Sequence, residues 1–592
     1  MVTRLHKWIL RYNSSSLLSF CKSKTMEQKK CYLRYVQNED RVDIAFLLKV
    51  KEDNIRQFNL SRRPSESLES ILARIGTNIQ KVLQKGSKKK AQPTEGKTVI
   101  DANFYVNENI VDNTKSCIDL FDIEDPVTLK ITDFEYEAVF NPPWVLSLSL
   151  PRSILAGFPI YPEHFATQNT EDSFNTFKWY KGMSVNEKGN KISETHIKWE
   201  FLQSGFPYTP STSDIGMKLK LECIPGNSSM TGPVVEVLAT SLVEAGPGRC
   251  PFENRHAFTS EKLQSERFRC VTYNILADLY CDSDFTRTVL HPYCPPYALH
   301  IDYRKQLIIK ELLGYNADIM CLQEVDAKIF NNCLNPLLSI EGFDGCFYKK
   351  GKQVAEGLGC FYRRDRFSLI SEHRIVLSEV IKSEPCFKSI WESIKDNAAL
   401  LERLLDRSTA SSCTILQSAD NPEQILVVGN THLYFHPDAD HIRLLQGGMF
   451  IYWLRDIVKK TKEQFPNKTV SLILCGDFNS VPSCGIYQLY TTGLAPSDLP
   501  DWKSNESEAV TNLTLQQDIG LSSACGTPQY TNFTAGFADC LDYIFYDNQN
   551  LTVDQVIPFP TVEELQAHTA LPSIVFPSDH IALIADLKFT AK

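Results

Sequence analysis

The sequence has no apolar run close to the ~20 residues needed to span a bilayer, so no membrane-crossing helix is expected. It has no C-x-x-C pair and no regular cysteine spacing, although it holds 18 cysteines in 592 residues. That argues against a structural zinc site. Cys270, Cys321, Cys360 and Cys475 sit inside apolar runs, as reduced cysteines do when they pack as small hydrophobes. Net positive charge is also lacking: the formal charge is −9, which is unusual for a protein that coats duplex DNA with a broad basic face, although global charge is equally read as a matter of solubility alone. A short single strand in one cleft would need only local basic groups and metal ions. No internal repeat occurs, and no leucine-rich array precedes the second half.

Acidic residues are missing from positions 1–24, which carry Arg4, Lys7, Arg11, Lys22 and Lys24 with serines at 14–16. On a helix, positions 4, 7 and 11 share one face, opposite Leu5, Trp8, Ile9 and Tyr12. This pattern reads as a mitochondrial transit peptide over residues 1–26 and predicts a matrix protein; a basic tail without import function is the plainer alternative.

The rest has an ordinary globular composition, 43% hydrophobic and 22% charged, and its length suggests two or three domains. Residues 27–245 read as a β-rich N-terminal part, with strands at 43–50, 99–106 and 218–223 and one helix at 67–83. The stretch with FKWYKG and KLKLEC suggests an immunoglobulin-like sandwich. The lysine run 85–90 reads as an exposed loop. Residues 246–265, opened by Gly246, Pro247 and Gly248, read as a linker. From 266 to 592 strands alternate with helices: strands at 268–275, 318–322, 425–433, 470–475, 541–546 and 580–589, helices at 303–313 and 441–460. That alternation predicts a layered α/β domain, with a helical insertion at about 380–422.

Polar residues end or interrupt these apolar runs six times: Asn274; Gln323 and Glu324; His432; Asp477 and Asn479; Asp542; and Asp579 with His580. A carboxylate at a buried strand end is costly without a cation or other partner, so six such placements point to one convergent site. The donors are hard oxygens and the histidines are too few for a zinc triad, which favours magnesium, or manganese.

The segments TYNILAD, CLQEVD, NTHLYFHP, LCGDFNSVP, TNFTAGFADCLDYIF and PSDHIAL resemble the exonuclease–endonuclease–phosphatase superfamily, in its deadenylase branch, in order and spacing over residues 266–590. With the β-rich front half and the basic leader, the whole chain resembles the vertebrate mitochondrial 2′,5′-phosphodiesterase family. The resemblance implies a four-layer α/β sandwich that releases 5′-AMP from 2′,5′-oligoadenylates and removes poly(A) from mitochondrial transcripts. It implies Glu324 as the main magnesium ligand, with Asn274 beside it and Asp579 as a second carboxylate. It also implies that Asp477 orients or deprotonates the attacking water and that Asp477 and Asn479 belong with the metal ligands. Asn479 and His432 would bind phosphate, and His580 would donate to it with its tautomer fixed by Asp542. Pro437 and Phe537 stand where deadenylases clamp adenine, and Arg443 is a candidate phosphate contact. Lys349, Lys350 and Lys352 either steer substrate or belong to a plain hairpin turn.

The expected partner is single-stranded RNA or oligoadenylate, without membrane or duplex DNA; the sequence does not set the oligomeric state. Two other readings stay open: a nucleotide 2′-phosphatase or other phosphodiesterase on the same fold, and an inert RNA-binding scaffold.

Overall fold

The computed structural model describes residues 30–51, 54–85, 100–186 and 189–590. The leader at 1–26 and the lysine run beyond Lys85 lie outside them. Seven strands between Lys30 and Phe140 form one mixed sheet, antiparallel except where Lys30–Arg34 runs parallel to Phe134–Phe140. The helix α1 (Leu68–Lys85) covers it. Leu68, Ile71, Leu72, Ile75 and Ile79 follow helical spacing and are all buried, which puts one apolar stripe on the sheet.

The expected sandwich is only partly built from its own strands. A four-stranded antiparallel sheet (Thr176–Gly182, Glu200–Ser204, Lys218–Ile224, Val235–Leu242) packs with the two-stranded hairpin Trp144–Ser149 and Glu163–Gln168 around fully buried Trp179. The remainder of that core comes from the C-terminal half: Ile308, Ile309 and Leu312 of α2 (Ile301–Gly314), with Cys333 and Leu334, join the same cluster. Glu163 meets Lys305 at 2.7 Å, and the Leu155 amide donates to Gln306 at 3.0 Å. The stretch read as a linker is fastened down as well. It carries the helix Phe252–His256, buries Cys250 and Phe252, and sends the Arg255 guanidinium to the carbonyls of Pro558 (2.9 Å) and Ala582 (2.8 Å).

The C-terminal half is two six-stranded sheets packed face to face. Its strands, numbered from the first of them, are β1 (Arg267–Asn274), β2 (Ile319–Asp326), β3 (Phe343–Lys349), β4 (Glu356–Arg363), β5 (Phe367–Val376), β6 (Ala410–Ser418), β7 (Gln424–His432), β8 (Thr469–Asp477), β9 (Leu521–Ser523), β10 (Asp542–Asp547), β11 (Leu551–Val556) and β12 (Leu583–Phe589). The orders are β3-β4-β2-β1-β12-β11 and β5-β6-β7-β8-β10-β9. Each sheet centres on one parallel pair, β1 with β2 and β7 with β8. Between α2 and β2 there is only a short turn, and α3 (Ala398–Leu405) lies in the excursion between β5 and β6. The helix α4 (Asp440–Gln464) crosses from β7 to β8.

Alternate residues explain the layering. Cys270, Cys321, Leu426, Val428, Ile473 and Cys475 point between the sheets. Val271, Met320 and Leu322 face α2, and Val427, Leu472 and Leu474 face α4. Strands buried on both faces read as continuous apolar runs, and the result is helix, sheet, sheet, helix. Every cysteine among the described residues is unpaired, and most are buried. The insertion differs from expectation at its end: residues 410–418 are the strand β6, and the helices Lys388–Ile394 and α3 occupy only its middle.

Arg269 ties β1 to β12. Its guanidinium grips Asp586 at 2.6 and 2.9 Å with both side chains only 2% exposed. Arg269→Ala should cost about 3–5 kcal/mol, because it strands a buried carboxylate. The shift of the urea midpoint measures this; a change within experimental error would contradict it.

Candidate active site

Both parallel pairs end at the same edge of the sandwich. Asn274, His432 and Asp477 are the last residues of β1, β7 and β8, and Glu324 lies two before the end of β2. β10 and β12 run the opposite way, so their starts return there. Asp542 opens β10 directly across from Asp477, and Asp579 and His580 lead into β12. All six sequence segments therefore converge.

Two backbone devices aim the side chains. The β2–β4 register slips between Leu322 and Val325, and Glu324 sits at φ +54°. This bulge turns its carboxylate out of the ladder. Asn479 likewise adopts φ +48°, a strained conformation of the kind that collects at functional sites. Before Asp477, Gly476 lies at φ +155°, where a Cβ would stand 2.2 Å from the Thr431 carbonyl.

Asn274 spans the two sheets: its amide donates to Glu324 Oε1 (2.9 Å) and Asp477 Oδ2 (3.0 Å). The Ala277 amide holds the other Glu324 oxygen at 2.9 Å. His432 Nε2 and His580 Nε2 each lie 3.6 Å from the same Asp477 Oδ2. His580 Nδ1 lies 2.8 Å from Asp542 Oδ2, whose own amide donates to Thr531 Oγ1 at 3.0 Å. The Asn479 amide N–H donates to Asp477 Oδ1 (2.9 Å), and its side-chain nitrogen is engaged by the Leu433 carbonyl (3.0 Å). Asp579 is half-buried, 3.4 Å from Asn532 Nδ2.

Crowding of negative charge sets the electrostatics. Burial, followed by the carboxylates of Glu356 and Asp579, pushes Glu324 up to about 7. Burial and Asp542 push Asp477 up to about 6. Burial alone would lower His580, but Asp542, Asp477 and Asp579 together hold it well above its usual value. Burial, aided by Lys350 and His580, keeps His432 well below. Asp542 Oδ1 is buried with no hydrogen-bond partner. Carboxylates gathered in this way could hold a hard divalent cation: among the described residues, ligand atoms of Asp477, Asp542 and His580 lie within 4.8 Å of one another, Glu324 is joined to Asp477 through the Asn274 NH2, and the Asn274 oxygen accepts from the Leu276 N–H.

A pH dependence follows. Glu324 and Asp477 bind protons more tightly folded than unfolded, so ion-free stability falls as pH rises from the usual carboxylate range to about 7. His580, also raised, acts in the same direction, and His432, held low, acts in the opposite one as pH rises toward the ordinary histidine value. Each carboxylate displacement is worth about 3 kcal/mol. The melting temperature of chelator-stripped protein should therefore drop between pH 5.5 and 7.5, added Mg²⁺ should reverse the drop, and Glu324→Gln should flatten it. A wild-type profile no steeper than that of Glu324→Gln would refute the attribution.

Pro437 is exposed on the loop after β7, and Phe537, 47% exposed, lies on the loop before β10. Arg443 departs from expectation. It is 4% exposed and donates to the carbonyls of Tyr434 (3.1 Å) and His436 (2.5 Å) and to Asp440. Folded back from α4, it braces the Pro437 loop, and these contacts occupy its guanidinium.

Two residues, Glu356 and Tyr280, escaped the sequence reading, and Lys350 stood there only as a lysine that steers substrate or belongs to a hairpin turn. Lys350 reaches into the site from the β3–β4 turn, Glu356 opens β4 beneath it, and the Tyr280 hydroxyl donates to Glu356 at 3.2 Å. Glu356 precedes the run GLGCFY much as Glu324 follows IMCL, and that was the available signal. Lys350 looked like any turn lysine.

The endonuclease/exonuclease/phosphatase family matches residues 271–580, and the 2′,5′-phosphodiesterase 12-like N-terminal domain matches residues 142–244. Mouse 2′,5′-phosphodiesterase 12 is 38% identical over 588 residues, covering 95% of this chain and 94% of the mouse protein. The Candida albicans CCR4-Not complex 3′-5′-exoribonuclease subunit Ccr4 is 30% identical over 355 residues, 57% of this chain and 43% of that protein. Among solved structures, ANGEL2, a 2′,3′-cyclic phosphatase in complex with adenosine-2′,3′-vanadate, shares 24% identity with a TM-score of 0.45, covering 56% of this chain and 97% of its own.

Proposed function

This chain belongs to the endonuclease/exonuclease/phosphatase family, in its 2′,5′-phosphodiesterase 12-like branch, and from that membership we propose that it releases 5′-AMP from 2′,5′-oligoadenylates and from the 3′,5′-linked poly(A) ends of mitochondrial RNA. It is a phosphodiesterase of nuclease type. The observation that carries the finer reading is the continuous chain of contacts from Glu324 through Asn274 and Asp477 to His580 and Asp542, drawn from both sheets. The acid-free basic leader supports a matrix location.

Glu324, Asp579, Asn274 and Asp477, with Asn479, would hold magnesium, or manganese, which when bound neutralises charge gathering on the phosphorus oxygens. Asp477 takes the proton of the attacking water; burial and Asp542 have made it a stronger base than a surface aspartate. His580, held by Asp542, presents Nε2–H to the phosphate, and His432 does so from the other side of Asp477. Phe537 and Pro437 offer exposed faces on which an adenine can stack, an interaction worth ~1–3 kcal/mol per base.

The test incubates the full chain with 2′,5′- and 3′,5′-oligoadenylate, with and without Mg²⁺, and separates the products by chromatography. Mg²⁺-dependent release of AMP from both is expected. Phosphate release confined to a dinucleotide 2′-phosphate, or RNA binding without turnover, would overturn the proposal.

A further inference from the structure

His432 and His580 stand at the same distance from Asp477 Oδ2, 3.6 Å each, yet their far nitrogens face partners of opposite sign. His580 Nδ1 lies 2.8 Å from the Asp542 carboxylate, so that nitrogen carries a proton. His432 Nδ1 lies 3.3 Å from the Lys350 ammonium. An ammonium has three donors and no lone pair, so it can bond only to a nitrogen that carries no proton.

We propose that Lys350 is a positioning residue that fixes His432 as the neutral tautomer with its single proton on Nε2, directed at Asp477 and the reacting phosphate. The hairpin between β3 and β4 makes this arrangement rigid. Lys350 follows the last residue of β3, and Glu356 is the first of β4. The Lys350 amide donates to the Glu356 carbonyl at 3.1 Å, and the ammonium sits 2.5 Å from Glu356 Oε1. The lysine side chain is 11% exposed and Glu356 is fully buried. Gly357 permits the close crossing, since a Cβ there would lie 2.3 Å from the Tyr348 carbonyl. With its second donor spent on Glu356, the ammonium has little freedom to leave Nδ1.

The two histidines are therefore not interchangeable. His580 holds its partner through a donated proton, whereas His432 accepts one at Nδ1 and has its own proton available only toward the phosphate. The task given to that proton rests on the phosphodiesterase reading above, but the location of the proton does not.

The test uses the full chain with ¹⁵N-labelled histidine, and His432→Gln assigns the signal in long-range ¹H–¹⁵N correlation spectra. The expected spectrum has an unprotonated Nδ1 and a protonated Nε2 at His432. In Lys350→Met, the Nδ1 signal moves and the tautomers mix. AMP release falls about 10–100-fold in kcat, the range seen when a supporting partner of a site ligand is lost, with KM little changed. Lys350→Arg, which keeps a donor of the same charge, restores the tautomer and most of the rate. A wild-type His432 protonated on Nδ1 overturns the proposal without any variant, as does a Lys350→Met protein with unaltered ring signals. If wild-type protein shows the expected tautomer but cleaves no oligoadenylate, the functional reading fails and the positioning role stands.

Discussion

Asp477→Asn and Glu324→Gln each reduce AMP release by on the order of 10³-fold or more while the protein stays folded. Both changes keep the shape of the side chain and remove one charge. In Asp477→Asn, the amide oxygen keeps one of the hydrogen bonds donated by Asn274 and the Asn479 N–H, but the base that accepts the water's proton is gone; such a base supplies 10²–10⁴-fold. Glu324→Gln keeps one of the two hydrogen bonds donated by Ala277 and Asn274 and removes the carboxylate that the bulge in β2 presents. Stability separates this from simple damage. Each residue is held in a crowded, buried, negatively charged place, so neutralising it relieves repulsion, and the ion-free melting temperature should hold or rise. Steady-state kinetics with circular dichroism melts measure both. Turnover within tenfold of wild type in either variant would remove that residue from the machinery.

Asp542→Asn lowers kcat by about 10²–10⁴ and leaves KM within a few fold. The carboxylate is buried at 1% exposure and fixes which nitrogen of His580 bears a proton, so an amide in its place permits the wrong tautomer; an equivalent change in a Ser-His-Asp triad costs about 10⁴. Asp542 also helps raise Asp477, so the variant loses basicity at the neighbouring residue too. Residues that act as one unit are not additive. The double variant Asp542→Asn with His580→Gln should therefore be slower than His580→Gln alone only by the part owed to Asp477's basicity, far less than Asp542→Asn costs by itself. Independent, multiplying losses would show that Asp542 does not work through His580.

Much of this could be read before any coordinates, because the central strands are buried on both faces and write themselves as apolar runs. The elements that were missed have physical reasons. β4 reads EGLGCFYR, and its two glycines, of which Gly357 lets β3 approach closely, dilute the strand signal. β6 reads ASSCTILQS and is buried nonetheless, because its hydroxyls find partners across the ladder, as Ser411 does with Thr431. The segment 246–265 has the composition of a linker but is packed by Cys250, Phe252 and Arg255. Among site residues, carboxylates at strand ends were visible as types in places, whereas the bulge that aims Glu324 depends on register. Arg443 shows the opposite limit: a helix arginine that reaches outward and one that curls back onto a loop have the same letter and spacing.

The apolar side of α2 is shared between the two halves of the chain, and this governs what happens if they are separated. Cleavage anywhere from 246 to 265 followed by removal of the front half would bare Ile308, Ile309 and Leu312 together with the Cys333–Leu334 turn, a contiguous greasy face of the sort that makes proteins self-associate. The β-rich unit between Trp144 and Val243 thus covers this face of the nuclease. Loss of solubility, rather than loss of chemistry, would be the first symptom of its damage.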